Sequence, residues 1–223
     1  LEAILLCNST LTVCKVIVDG ELYWPRVLAV DPSAGYLFFT VWGSSDPKIE
    51  RSYLDGSGRI VLANKDVVYP QGITLDLPTQ QIYWVDMYLN TIERMDYNGR
   101  HRKIVLKGPL KMKGISVFEN FLYVTCSSSQ HSVVKINKFN PSDLQVLMNS
   151  SITHHTVTVY HKQRQPASPH PCDVNYGNCD HFCIPMKKNN RSIALCTCLP
   201  GYDVVGSKCI GELGHKLFTQ ITC

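Results

Sequence analysis

A unit of about 45 residues repeats within the first two thirds of the chain, and this repeat limits the possible folds more than any composition figure. "PRVLAVDPSAGYLFFT" from Pro25 returns as "PQGITLDLPTQQIYWV" from Pro70, aligning Asp31 with Asp76 and Phe38-Phe39 with Tyr83-Trp84. Further on, Ile49-Glu50-Arg51 matches Ile92-Glu93-Arg94, and a turn follows each time, "LDGSGR" and then "DYNGRHR". A short outer run, "IVL", closes each copy at 60–62 and 104–106. A third copy is weaker: "GISV" at 114–117 matches "GITL", "LYVT" at 122–125 matches "IYWV", and "VVKINKF" at 133–139 matches "TIERMDY".

The runs are β-branched and aromatic, are bounded by Gly, Asn, Asp and Pro, and nowhere sustain a helical period. Four short strands in each repeat of this length are the signature of a β-propeller blade. Blades are expected near 25–64, 70–107 and 110–148, with a closing strand at 156–160 inside a propeller segment spanning 15–164. Tyr83 and Trp84 then read as core, since side chains alternate between the two faces of a blade.

The ten cysteines are unevenly placed: six lie between 172 and 209, while Cys7, Cys14, Cys126 and Cys223 are scattered. A segment as short as 172–209 cannot fold on apolar burial alone and needs staples. Spacing leaves fifteen connectivities open for six cysteines. Six, three, twelve, one and ten residues separate successive cysteines, and "GY" follows the fifth; this pattern resembles an EGF-like module. The resemblance implies Cys172–Cys183, Cys179–Cys196 and Cys198–Cys209. "ASPHP" before Cys172 lacks the acidic oxygen ligands of a calcium-binding version. A zinc site on Cys179, His181 and Cys183 matches no common paired spacing. The bland reading of the module is a rigid spacer.

Sequons at Asn8, Asn149 and Asn190, beside so dense a cysteine cluster, favour the secretory route and an extracellular location. The net charge of +4 is scattered, and the basic stretch from Lys187-Lys188 to Arg191 is interrupted by asparagines, so no nucleic-acid partner is expected. No apolar run approaches the roughly 20 residues of a membrane span, and "LEAILL" is too short for a signal-peptide core.

A propeller followed at once by an EGF-like module resembles the low-density lipoprotein receptor family and its large receptor-related members. "IYWVD" at 82–86 carries four of five hallmark "YWTD" positions, "PQGITLD" matches the blade opening and "IERMDYNG" the third strand. "VTVYHKQRQP" at 157–166 resembles the last propeller strand and its exit through a linker at 165–171. The resemblance implies that Asp86, like Asp31 and Asp76, has a structural role, with Asp86 tying blade to blade through backbone hydrogen bonds. Departures are Val27 in place of a Gly and Cys126 in place of the Asp. The family's ring has six blades, so this chain reads as the C-terminal half of one. "KVIVDGELYWP" reads as the outer strand of a preceding blade. Residues 1–14 and 210–223 match nothing in the family. Both terminal faces of the arc are expected to be apolar and uncovered, leaving 15–164 short of a stable soluble monomer.

No nucleophile elbow, phosphate loop or zinc-protease motif occurs, so neither an enzyme nor a cofactor is expected, and Cys126 reads as a small buried hydrophobe. His154, His155, His161 and His170 crowd the exit from the propeller. Imidazole titrates near pH 6.5, between cell-surface and endosomal pH, so these four are candidate pH sensors. The expected function is a non-enzymatic fragment of an endocytic receptor-related protein. Its partners would be protein ligands or other modules of a membrane-anchored parent that cycles between cell surface and endosome. A matrix or Wnt-co-receptor-like interaction module is the alternative.

Overall fold

The computed structural model describes residues 2–8, 10–43, 46–127, 131–164, 169–188 and 191–211. The described chain is all β apart from two short 3-10 turns at 171–173 and 175–178. It divides into two compact units: Leu1–Ile4 with Ile17–Ser168, and Leu5–Val16 with Pro169–Cys223.

Near the N-terminus, strands β1 (Ile4–Cys7) and β2 (Cys14–Val18) form a two-stranded sheet whose connecting loop is closed by a Cys7–Cys14 disulfide. Three four-stranded antiparallel sheets follow. The first blade is β3 (Pro25–Asp31), β4 (Tyr36–Val41), β5 (Lys48–Tyr53) and β6 (Ile60–Ala63). The second is β7 (Pro70–Asp76), β8 (Gln81–Asp86), β9 (Thr91–Asp96) and β10 (Lys103–Lys107). The third is β11 (Met112–Phe118), β12 (Phe121–Ser127), β13 (His131–Asn137) and β14 (Leu144–Ser150).

Period-2 alternation explains how the blades stack. On β8, Ile82 and Trp84 enter a core shared with Phe38, Ile49 and Ala63 of the first blade. Tyr83 and Val85 enter a core shared with Ile115, Leu122, Val124 and Ile136 of the third. Trp84 is fully buried; at roughly 25 cal/mol per Å² over about 200 Å², its burial is worth about 5 kcal/mol.

The hairpins between third and fourth strands show why two glycines recur in phase. Gly56 and Gly99 both have positive φ, at 86° and 79°, where a side chain is strained. Each also lies against the outer strand of the preceding sheet. A Cβ on Gly99 would stand 2.8 Å from the Leu62 carbonyl oxygen, and one on Gly56 would overlap that of Ile17. A charged clasp repeats beside them. Arg59 pairs with Glu50 at 2.7 Å and donates to the Gly20 carbonyl at 2.6 Å, while Arg102 pairs with Glu93 at 2.8 Å and donates to the Asp66 carbonyl at 2.8 Å.

Three expectations need correction. The third copy is offset by one residue from the sequence match: Gln81 opposes Asp96 and Phe121 opposes Asn137, so Ser132, not Val133, is the counterpart of Thr91. Only this register buries Ser132, Val134 and Ile136 together, because a one-residue slip exchanges the faces of a strand. Second, the arc's first face is not bare. Leu37, Phe39 and Val41 of β4 are buried under Ile4, Val18 and Leu22, so residues within 1–14 contribute to the repeat as part of a preceding blade. Third, 156–160 joins no sheet. It runs beside β11, with Val159 N donating to Ser116 Oγ at 3.2 Å and Thr156 against Gly114.

The second unit contains two small hairpins, β15 (Phe182–Lys188) with β16 (Arg191–Thr197) and β17 (Tyr202–Val205) with β18 (Lys208–Gly211). Cys172–Cys183, Cys179–Cys196 and Cys198–Cys209 are disulfide-bonded. Beyond these staples, its buried apolar side chains among the described residues are Phe182 and Ile184. Asn190, Cys223, linker residues 165–168 and tail residues 212–223 lie outside the described residues.

Candidate functional site: an aromatic end face

Each blade presents one end where the chain enters its inner strand and leaves its second strand. A backbone bond joins the two at equivalent places: Trp42 N to Trp24 O at 3.3 Å, Met87 N to Tyr69 O at 3.0 Å, and Ser127 N to Lys111 O at 2.8 Å. In the second blade Asp86 completes the junction. Fully buried, its Oδ2 accepts from Val68 N and Tyr69 N at 2.8 and 2.9 Å, and its Oδ1 accepts from Tyr88 N and Leu89 N, both at 3.0 Å. One carboxylate thus holds its own turn and the connection arriving from the first blade. Val41 and Cys126 occupy the equivalent positions in the other blades.

Aromatic side chains gather on this end. Trp24 and Trp42 have ring centroids 5.3 Å apart, and Trp42 meets Tyr69 edge-on at 4.1 Å. The Arg26 guanidinium lies 5.9 Å from the Trp42 ring. Tyr23, Trp24 and Tyr88 are 58%, 57% and 72% exposed, far more than aromatic core residues. Arg26, Gln71 and Lys113 each occupy the second position of an inner strand, and Gln71 Oε1 is buried without a partner. Exposed Trp, Tyr and Arg on a rigid base have the composition of binding hot spots. The repeat does not mark this group. The signal for it in the sequence is that two of the three tryptophans, Trp24 and Trp42, fall at connections and not in the "YW" strand position.

The opposite end holds the repeat aspartates. Asp31 Oδ1 accepts from Ser33 Oγ at 2.6 Å and Ala34 N at 3.0 Å, and its Oδ2 accepts from Tyr97 OH at 2.9 Å. Burial pushes the Tyr97 phenol well above its ordinary value, and the adjacent Asp31 carboxylate adds to the effect. One blade further on, Asp76 Oδ2 lies 2.6 Å from Lys138 Nζ. Arg164 donates to Leu75 O at 3.2 Å and Thr74 Oγ1 at 2.7 Å; burial lowers its pKa, opposed by Asp76. A groove of about 640 Å³ opens beside this cluster between Leu75–Thr79, Val117–Asn120 and Phe139.

Each of the four histidines has its own setting. His154 is half-buried, with Nε2 lacking a partner; His155 is exposed; His161 packs on Phe118 at 4.8 Å. His170, in the second unit, accepts from Cys172 N at 3.2 Å and caps the turn there. Asn8 sits in the Cys7–Cys14 loop, where its Oδ1 accepts from Thr12 N at 3.0 Å, and Asn149 is exposed on outer strand β14. His181, Cys198 and Cys209 approach one another, but the two sulfurs are bonded to each other and supply no thiolate to a metal. Cys126, unpaired among the described residues, is fully buried and its thiol is pushed up to about 11 by burial.

Four-stranded blades with an aspartate-pinned "YWVD" strand, followed by a triple-disulfide module, define a YWTD-type propeller segment joined to an EGF-like module. The comparisons with known proteins give the family. The chain is 36% identical over 182 residues to the vitellogenin receptor Yl of Drosophila melanogaster, covering 81% of this chain and 9% of that receptor. It is 31% identical over 201 residues to the sortilin-related receptor of Mus musculus, covering 82% and 9%. Among solved structures, a chain of a nidogen/laminin complex matches with a TM-score of 0.62 and 25% identity, over 70% of this chain and 60% of that one. A Xanthomonas campestris gluconolactonase, at 17% identity and TM-score 0.57, shares the fold alone. No family model matches. The chain belongs to the low-density lipoprotein receptor family of YWTD propellers and spans about a tenth of the length of the receptors it matches.

Proposed function

We propose that this chain is the extracellular propeller–EGF portion of an endocytic, membrane-anchored receptor-related protein, and that it binds protein ligands on the aromatic end face. The Trp24–Trp42–Tyr69 group carries the reading: exposed Trp24 rests on half-buried Trp42 and Tyr69 at an end where two blades meet, and no repeat position requires it. The other modules provide scaffolding. Ligand release in acidic endosomes is assigned to the histidines of the exit segment. His154 offers a buried nitrogen without an acceptor, so charging it disturbs its setting, and His161 is exposed and rests on the Phe118 ring. Asn8, Asn149 and Asn190 are the glycan positions of this reading. The chemistry is binding, not catalysis.

A second reading has its own support. The likeness to a chain of the nidogen/laminin complex favours a matrix-type interaction module. Surface plasmon resonance on the immobilised full chain separates the two, with purified vitellogenin and purified laminin as analytes at pH 7.4 and about pH 5.5. The endocytic reading expects vitellogenin to bind at pH 7.4 and dissociate at the lower pH, with that dissociation lost when His154, His155, His161 and His170 are changed to Gln. Binding of laminin alone, unaffected by pH, supports the matrix reading. Binding of neither overturns both.

A further inference from the structure

We infer that an N-linked glycan on Asn149 covers the free edge of the third blade, and that without it two copies of the chain associate along that edge. The inference rests on the secretory reading proposed above. Outermost strand β14 pairs with β13 on one side, and among the described residues no strand pairs with it on the other. It reads "LQVLMNS", seven residues with no charge. Leu144, Val146, Leu147 and Met148 are between 38% and 51% exposed. An uncharged apolar edge of this length is a template for pairing with another chain, and folded proteins guard such edges with charges, short strands or bulges.

The other two blades show such guards. β6 has only four residues, and β10 carries Lys103 and Lys107 at its two ends. A bulge is common to all three outer strands, at Leu62, Val105 and Leu147, so it does not set β14 apart. The registers then match the strands residue for residue. Lys107 opposes Thr91 in the second blade, and Asn149 opposes Ser132, the counterpart of Thr91, in the third. Asn149 therefore stands where the second blade has Lys107. In the same way Gln145, opposite Lys135, stands where it has Lys103, opposite Arg94. The third blade has neither edge lysine. At the first of these positions it has a sequon instead, Asn149-Ser150-Ser151.

The local geometry suits a glycan. Asn149 is exposed, and the strand ends one residue later in a bend where Ser150 Oγ accepts from Ile152 N at 3.1 Å. Directly opposed residues of paired strands place their side chains on the same side of the sheet. Leu144, Val146 and Asn149 oppose Ile136, Val134 and Ser132, which are all buried on one side, so the three share that side of the edge. At roughly 3.3 Å per residue, Val146 lies no more than about 10 Å along the strand from Asn149, within the span of a branched glycan core. A glycan there screens these apolar side chains and obstructs the approach of a second strand, as charge and hydration do at Lys107.

The test uses the full chain secreted from a glycosylating host. Peptide mass spectrometry should find Asn149 occupied. In sedimentation velocity, N149Q should gain over wild type a species of about twice the mass as concentration rises, since two identical edges most simply close as a twofold dimer. N149K carries no glycan but restores the lysine of the second blade, and should sediment as wild type does. So should S192A, which removes the sequon at Asn190. If N149Q is not secreted, trimming the glycans of folded wild-type protein with an endoglycosidase makes the same comparison. No added association in the chain lacking the Asn149 glycan would overturn the inference. Equal association by N149K, or by S192A, would reduce the glycan to a general solubilising group and overturn it too. A chain glycosylated at Asn8 or Asn190 but bare at Asn149 would also overturn it, and would leave the secretory reading standing.

Discussion

Lys138 Nζ lies 2.6 Å from Asp76 Oδ2, and both groups are buried, in the position where the preceding pair of blades joins Asp31 to the Tyr97 hydroxyl at 2.9 Å. The two contacts are the same architectural link made with different chemistry. In each, an aspartate ending an inner strand reaches the residue that follows the third strand of the next blade.

That equivalence predicts a transplant. K138Y should place a phenol on Asp76 as Tyr97 does on Asp31, and should cost little. K138M leaves Asp76 buried without its hydrogen-bonded partner and with only the Arg164 charge nearby, and should cost about 3–5 kcal/mol. Urea unfolding of the full chain measures both. Equal losses would show that the ammonium itself is required.

Asp86 should tolerate even its closest isostere poorly. D86N turns one of the two acceptor oxygens into a donor facing two backbone N–H groups. About 2–4 kcal/mol should be lost, since each buried donor left unpaired costs about 1–3 kcal/mol. Limited proteolysis should show the new weak point at 87–90. A loss below about 0.5 kcal/mol would remove the pin from the junction.

Cys126 should resist thiol reagents in the folded chain and react once urea is added, because burial pushes its thiol to about 11 from an ordinary 9.0. The same shift sets a pH window. Below pH 9 both folded and unfolded chains keep the proton, and the contribution to stability is present in full. Between about 9 and 11 only the unfolded chain ionises, so stability should fall as pH rises through that range. C126A, compared with wild type across pH 8–11, isolates this contribution; identical slopes would contradict it.

Peptide mapping of secreted, unreduced protein should recover Cys172 with Cys183, Cys179 with Cys196, Cys198 with Cys209, and Cys7 with Cys14. Removing the last pair as C7S/C14S should cost about 2–3 kcal/mol in the chain-entropy view. Any other pairing among the six of 172–209 would undo the module assignment.

The blades were legible because their cores are periodic: "LFF" and "IYW" recur in phase, and the sheet registers of the first two blades match that phase. The third blade was legible in kind but not in register. Between Cys126 and Ser132 it has one residue more than the second blade has between the equivalent Asp86 and Thr91, and the paired valines at 133–134 fit either alignment. That slip concealed Lys138, since only the true register places it opposite Asp76. The β1–β2 cover was hidden for a different reason. Ile4, Val18 and Leu22 bury together only after the chain turns through the Cys7–Cys14 loop, and no periodicity records such a contact. The aromatic end face depends on connections, where the repeat imposes no residue type, so it had to be found in three dimensions.

The most direct measurement is ligand binding by end-face variants of the full chain, using whichever of vitellogenin or laminin the wild-type protein retains. W24A/W42A should weaken binding by about tenfold or more, and W24A alone, which removes a largely exposed ring, should weaken it with the melting temperature within a few degrees of wild type. F139A, at the opposite end beside the Asp76–Lys138 pair, should bind as wild type does. Undiminished binding by W24A/W42A, or loss of binding in F139A alone, would contradict the assignment of the aromatic end as the interaction face.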